Sequence, residues 1–158
     1  MNVHVRDNIL ALKDPPSSTN SVNEASDYTT TSTSFADIDA TDMARTITST
    51  GGDMIFVAQF AVSYVGTTGA DKVCFDVMVD GVALAGDDGI FGAAVGSASK
   101  VAPTTLVYLI SGATYTAGSH TVKLRWKVTD GGNTATIYAG AGTSKGDLHP
   151  QVFLREMS

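Results

Sequence analysis

The side chains equipped for chemistry are few and scattered along this chain. Three histidines, His4, His120 and His149, lie far apart, and no HxH or HExxH spacing brings two imidazoles onto one face of a strand or helix. The acidic cluster Asp87-Asp88-Gly89, with Asp80 nearby, offers hard oxygen ligands of the kind that suit Ca²⁺. It lacks the spacing of a calcium loop, and Asp-Gly pairs form turns, so turn chemistry is the expectation and no metal ligand is assigned. Cys74 lies between Val73 and Phe75, where a thiol serves as a small buried hydrophobe rather than a nucleophile. Serines and aspartates are abundant, but none sits in a nucleophile-elbow context that would aim a hydroxyl at a histidine. The glycine-rich run from Gly140 to Gly146 holds Lys145, yet the GxxxxGK[ST] order of a phosphate-cradling loop is missing, as is the helix after it. No catalytic residue, cofactor or metal is expected. One charged pattern remains. Lys123, Arg125 and Lys127 form a basic stripe, read as a solvated face or as a contact with acidic groups of a neighbouring subunit.

That stripe belongs to the longest two-residue alternation in the chain, residues 118–128. Val122, Leu124, Trp126 and Val128 fall on one face of a strand there, with Thr121, Lys123, Arg125 and Lys127 on the other. A helix would scatter both sets, so the spacing predicts a half-buried strand that carries the only tryptophan into a core. Residues 54–65 predict a second strong strand. Ile55, Val57, Gln59 and Ala61 share one parity and Phe56, Ala58, Phe60, Val62 and Tyr64 the other, and two largely apolar faces predict a central position. Residues 73–79 and 82–85 flank Asp80-Gly81, the best hairpin signal present, because both positions of a type I′ turn need positive φ. Weaker strand-like runs occupy residues 30–38, 43–48, 105–110, 134–138 and 151–156. The candidate core is Val122, Leu124, Trp126, Phe60, Cys74 and Phe75. No segment carries a helical period. The reading is an all-β fold, an antiparallel jelly-roll-like sandwich of about eight strands over residues 28–158.

Composition bounds the partners. A chain of 158 residues buries roughly 70 % of its unfolded surface as a single domain. Charged residues make up 16 %, below the usual quarter or so, and the net charge is −6. Such a balance disfavours phosphate neutralisation, so nucleic acid is not an expected partner. With a single cysteine no intrachain disulfide forms. No run approaches the roughly 20 apolar residues of a membrane-spanning helix, so no membrane partner is expected. The N-terminal apolar run, Ile9 to Leu12, is too short for a secretory signal and is closed by Lys13-Asp14-Pro15-Pro16.

Residues 1–27 differ in character from the rest of the chain. Val3 and Val5 alternate with His4 and Arg6, Ile9 to Leu12 form an apolar knot, and Pro15-Pro16 interrupts any regular structure before a Ser/Thr/Asn stretch. This composition reads as an extended arm, with a floppy tail as the alternative; for an arm docked on a neighbouring subunit or partner protein, Val3, Val5, Arg6, Ile9, Leu10 and Leu12 are the contact residues.

Four segments carry a resemblance: residues 5–16 (VRDNILALKDPP), 28–35 (YTTTSTSF), 118–127 (GSHTVKLRWK) and 147–151 (DLHPQ). Together they resemble small phage and prophage proteins and, more widely, the virion jelly-roll proteins, which include trimeric capsid decoration (cement) proteins and tail-fibre tip domains. The resemblance implies a structural, non-enzymatic protein on the capsid exterior, assembled in the host cytoplasm. It also implies a homo-oligomer, a trimer by analogy, bound to the major capsid protein. The arm then acts as a clamp across capsid subunits. The alternative within the group is a tail-fibre adhesin that binds a host-surface glycan, and no family binding residue maps onto this chain.

Overall fold

In the computed structural model, residues 14–66, 70–93, 101–140 and 148–157 are described. Among these residues twelve strands, all paired antiparallel, form two sheets of six. They are β1 (Ser17–Ser21), β2 (Tyr28–Thr30), β3 (Ala36–Asp37), β4 (Ala44–Ser49), β5 (Met54–Ser63), β6 (Val73–Val79), β7 (Val82–Ala83), β8 (Phe91–Ala93), β9 (Ala102–Ile110), β10 (Gly118–Val128), β11 (Ala135–Ile137) and β12 (Gln151–Glu156). The strands without a matching run in the sequence are β1, which lies in a Ser/Thr/Asn stretch, and β2 and β8, which are three residues long. Such short runs show no period of their own.

The first sheet is built on β5. Strand β9 pairs with it from Met54 to Val62, while the opposite edge is shared by β12, beside residues 54–59, and β11, beside Val62 and Ser63. Strand β1 lies outside β12, and β2 lies outside β11. The second sheet is built on β10. Strand β6 flanks it on one side and is itself paired to β7 and β8, while β4 and β3 pair in succession along the other side.

The inner faces meet in one core. From the second sheet, Val122, Leu124, Trp126 and Val128 point inward together with Val73, Phe75, Val77 and Val79. From the first come Met54, Phe56, Ala58, Phe60, Val62, Leu106, Ile110, Val152 and Leu154. Full burial of a side chain such as Leu or Phe is worth about 1.5–3 kcal/mol, so this cluster dominates the stability. The hairpin at Asp80-Gly81 has φ of 49° and 88°, and Val79 pairs directly with Val82. Those dihedrals match a type I′ turn, whose twist suits the flanking strands.

Part of the expected arm belongs to the domain. Strand β1 pairs with β12 over its whole length, the Val22 amide donates to the Pro150 carbonyl at 2.8 Å, and the Val22 side chain is 1 % exposed. The Ser/Thr/Asn composition of residues 17–21, none of them buried, conceals a strand that is held by backbone pairing to β12. Val3, Val5, Arg6, Ile9, Leu10 and Leu12 lie outside the described residues, as does His4.

Candidate interaction face

Each residue type that could carry chemistry has a definite place in this fold. Asp87 and Asp88 are exposed on a turn, and the Asp87 carbonyl accepts from Lys127 Nζ. Among the described residues, no three His, Cys, Asp or Glu side chains are grouped to hold a metal ion. Cys74 is buried, and burial pushes its thiol pKa up against the opposing charges of Lys72 and Lys127, so the thiolate is disfavoured. His149 Nδ1 lies 2.9 Å from the Val22 carbonyl, which ties the stretch before β12 to the end of β1. Residues 141–146 of the glycine-rich run lie outside the described residues.

His120 closes the β6–β7 hairpin onto β10. Its Nδ1 lies 2.6 Å from Asp80 Oδ2 and its Nε2 lies 2.7 Å from the Thr116 carbonyl, with the Tyr115 ring edge-on at 5.6 Å. Both partners accept hydrogen bonds, so the ring satisfies both only as the imidazolium. The Asp80 contact raises the His120 pKa above 6.5, and the Thr116 carbonyl adds to the effect. For Asp80, burial pushes upward, but the His120 ring and the Thr121 amide outweigh it and hold the carboxyl below its ordinary value. The folded state therefore binds more protons at His120 than the unfolded chain does just above pH 6.5. The contribution is complete below that value and is lost as pH rises through the raised folded value. Thermal melts are expected to show stability falling across this window in the wild type and a flatter profile in His120→Gln. Equal slopes in the two proteins would show that the imidazolium contributes nothing.

The basic stripe is satisfied within the chain. Lys123 Nζ lies 3.0 Å from Asp37 Oδ2, and Arg125 lies 3.7 Å from Asp37 and 3.9 Å from Asp76. Arg125 also donates to the Phe35 carbonyl at 2.8 Å, and Lys127 sits 4.8 Å from the centre of the Phe35 ring. The acidic partners imagined on a neighbour are thus supplied to Lys123 and Arg125 by β3 and β6 of the same chain. Register explains this, since Arg125 faces both Asp37 and Asp76 across adjacent strands. Over the stripe lies a cleft of about 440 Å³ lined by Thr33, Ser34, Phe35, Asp76, Asp87 and Arg125, among others. Asp76 at its floor is fully buried, and its carboxylate makes no hydrogen bond of good geometry. Burial pushes its pKa up, opposed by the Val77 amide, by Arg125 and by the Ala85 and Leu84 amides.

The other sheet presents a different kind of surface. Its outward rows run straight across three strands, as Phe153–Val57–Val107, Arg155–Ile55–Leu109 and Gln151–Gln59–Thr105. Ala61 and Pro103 continue the pattern, and Leu148 borders them beside Gln59. Arg155 is the one charged residue in these rows. Val107 is 58 % exposed and Leu109 55 %. At about 4.8 Å between strands and 3.3 Å per residue, the three strands present roughly 400 Å² of flat surface, polar at Gln151, Gln59, Thr105 and Arg155 and apolar elsewhere. The edge of this face is also open: among the described residues β9 pairs only with β5.

The signal for this face was present in the sequence. Two apolar parities in residues 54–63 imply cover on both sides, and β5 is indeed central in its sheet. In a sandwich of two layers the core covers only one of them. The parity of Ile55, Val57 and Ala61 is left half-exposed on the outside.

No protein-family model matches the chain, and no curated protein matches it. Among solved structures, dimeric latent PorU from Porphyromonas gingivalis aligns with a TM-score of 0.43 and 11 % identity, over 90 % of this chain and 13 % of its own. Two crystal structures of a pentameric capsid protein isolated from metagenomic phage sequences align with TM-scores of 0.28 and 0.27 and identities of 13 % and 14 %. They cover 87 % of this chain and 60 % and 62 % of their own. The chain therefore spans a small part of PorU and about three fifths of the capsid chains. None of these likenesses assigns a function.

Proposed function

We propose that this protein is a structural component of a phage virion, a capsid decoration protein that docks through the outer face of its β5 sheet. The observation that carries the reading is the nearly uncharged face of β12, β5 and β9, which a lone chain leaves in water. The resemblance of the sequence to virion jelly-roll proteins supplies the setting, on the capsid exterior after assembly in the host cytoplasm, with the major capsid protein as partner. The role is non-enzymatic. Residues 1–13, with Val3, Val5, Arg6, Ile9, Leu10 and Leu12, are proposed to clamp capsid subunits. Such binding stabilises the shell by mass action, since it favours the assembled state over the free subunits.

Particle binding tests this. Purified capsids are expected to take up the wild-type chain in many copies per head and to lose most of it for Ile55→Glu with Phe153→Glu, whose charges face outward. Deletion of residues 1–13 is expected to weaken binding without unfolding the domain. A deletion reaching residue 27 is uninformative because it removes β1 and the buried Val22. Full binding by both the face variant and the deletion overturns the reading. The resemblance implies a trimer, whereas the open edge of β9 favours a different arrangement.

A second reading is favoured by the cleft over β10. Phe35, Arg125, Thr33 and Ser34 combine an aromatic ring with a guanidinium and hydroxyls, a set suited to a polyhydroxylated ligand. On that reading the chain is a tail-fibre adhesin for a host-surface glycan. Glycan-array binding lost in Arg125→Ala, with no uptake by capsids, would favour it.

A further inference from the structure

Open sheet edges are hazards, because their unpaired N–H and C=O groups offer a template to any other strand. Most edges of this fold are blunted. Strands β2, β3, β7 and β8 are two or three residues long, β1 has five residues, and the six-residue β4 carries Arg45. Asp27 adjoins β2, Asp37 lies within β3, and Asp80 stands before β7. Strand β9 is the exception among the described residues. It is nine residues long, its sequence APTTLVYLI contains no Asp, Glu, Lys or Arg, and Val107 and Leu109 stand exposed along it.

We propose that β9 is the contact between two copies of this chain, paired antiparallel about a twofold axis so that the two β5 sheets become continuous. The argument for a second copy is charge. Each chain carries −6, so copies repel wherever acidic edges meet. A twofold axis sets a strand against itself, and a strand with charge then meets like charge at some register. Residues 102–110 present none at any register. Pro103 lacks an N–H and lies near one end, opposite Ala61, so it interrupts none of the alternate N–H groups that residues 104–110 turn away from β5 toward the open edge. In the pair, Val107 and Leu109 meet the partner's side chains across the new ladder at about 5 Å between Cβ atoms. The apolar outer faces of the two copies then form one surface of twice the area, and this inference thereby deepens the docking role proposed for that face.

The test is the mass of the purified full chain by sedimentation velocity and light scattering across the micromolar range. The expected result is a concentration-dependent species of twice the 16.3 kDa chain mass. Val107→Lys and Thr105→Lys, both at outward positions, are expected to weaken pairing by about a hundredfold or more while leaving the thermal unfolding transition in place. Val82→Lys, at an exposed hydrophobe of the other sheet, leaves pairing unchanged. A monomer at every concentration, a trimer, or a dimer indifferent to both β9 lysines overturns the proposal. A monomer would mean that β9 is covered by another segment of its own chain or by a different protein. Pairing without capsid uptake leaves this inference standing and removes the decoration reading, and capsid uptake by a monomer does the reverse.

Discussion

Replacing Glu156 with alanine is expected to lower the unfolding free energy by about 3 kcal/mol, because it strips several donors of their one acceptor in a buried site. Glu156 sits at the end of β12 and is 2 % exposed. Its Oε1 accepts from Ser49 Oγ at 3.0 Å, Thr50 Oγ1 at 2.8 Å and the Gly52 amide at 2.6 Å, and the Thr50 amide donates at 3.0 Å. Ser49 ends β4, in the opposite sheet, so this carboxylate joins the two layers through the β4–β5 turn. Burial alone would raise its pKa, but the Thr50 and Gly52 amides and the Thr50 and Ser49 hydroxyls prevail and hold it below 4.5. The unfolded chain therefore binds the proton first. The contribution is present above pH 4.5 and is lost as pH falls through the lower folded value. Urea unfolding at neutral and acidic pH checks both points. Glu156→Gln should fall between wild type and alanine at neutral pH and show a weaker acid dependence, and a change under about 0.5 kcal/mol in the alanine variant would count against the carboxylate as a joint.

Trp126→Ala is expected to cost about 4 kcal/mol, the usual range for emptying the place of a large buried aromatic. The side chain is 2 % exposed, midway along the sheet, with Phe75 of β6 and Ala36 of β3 as its register partners. Packed strands on both sides limit how far the hole can close. Trp126→Phe keeps most of the volume and should recover more than half of the loss. Equilibrium denaturation followed by circular dichroism reads both, since the only tryptophan is the residue removed. A loss under about 1.5 kcal/mol for the alanine variant would mean that the core collapses into the gap.

These two residues differ in how visible they are in the chain. Trp126 is announced by the cations on either side of it, Arg125 and Lys127, because a period of two is enough to divide a strand into faces. Glu156 is one of several acids near a terminus, and its donors lie more than a hundred residues earlier. Nothing local marks it. The same contrast separates Asp80-Gly81, whose turn follows from the φ preferences of two residues, from His120–Asp80, which needs β10 to come back beside that turn.

The sequence by itself determined the class of the fold and the strands that build the core, because side-chain periodicity and turn preferences are local properties. It also marked β5 as apolar on both parities. Tertiary structure alone decided what covers each face. It matched Lys123 and Arg125 with acids of their own chain, drew residues 17–22 into the domain, and left Val57, Val107 and Leu109 on an outer face beside an open edge. Strand order is set by long-range pairing, and a sequence pattern states that a surface is apolar without stating which neighbour meets it.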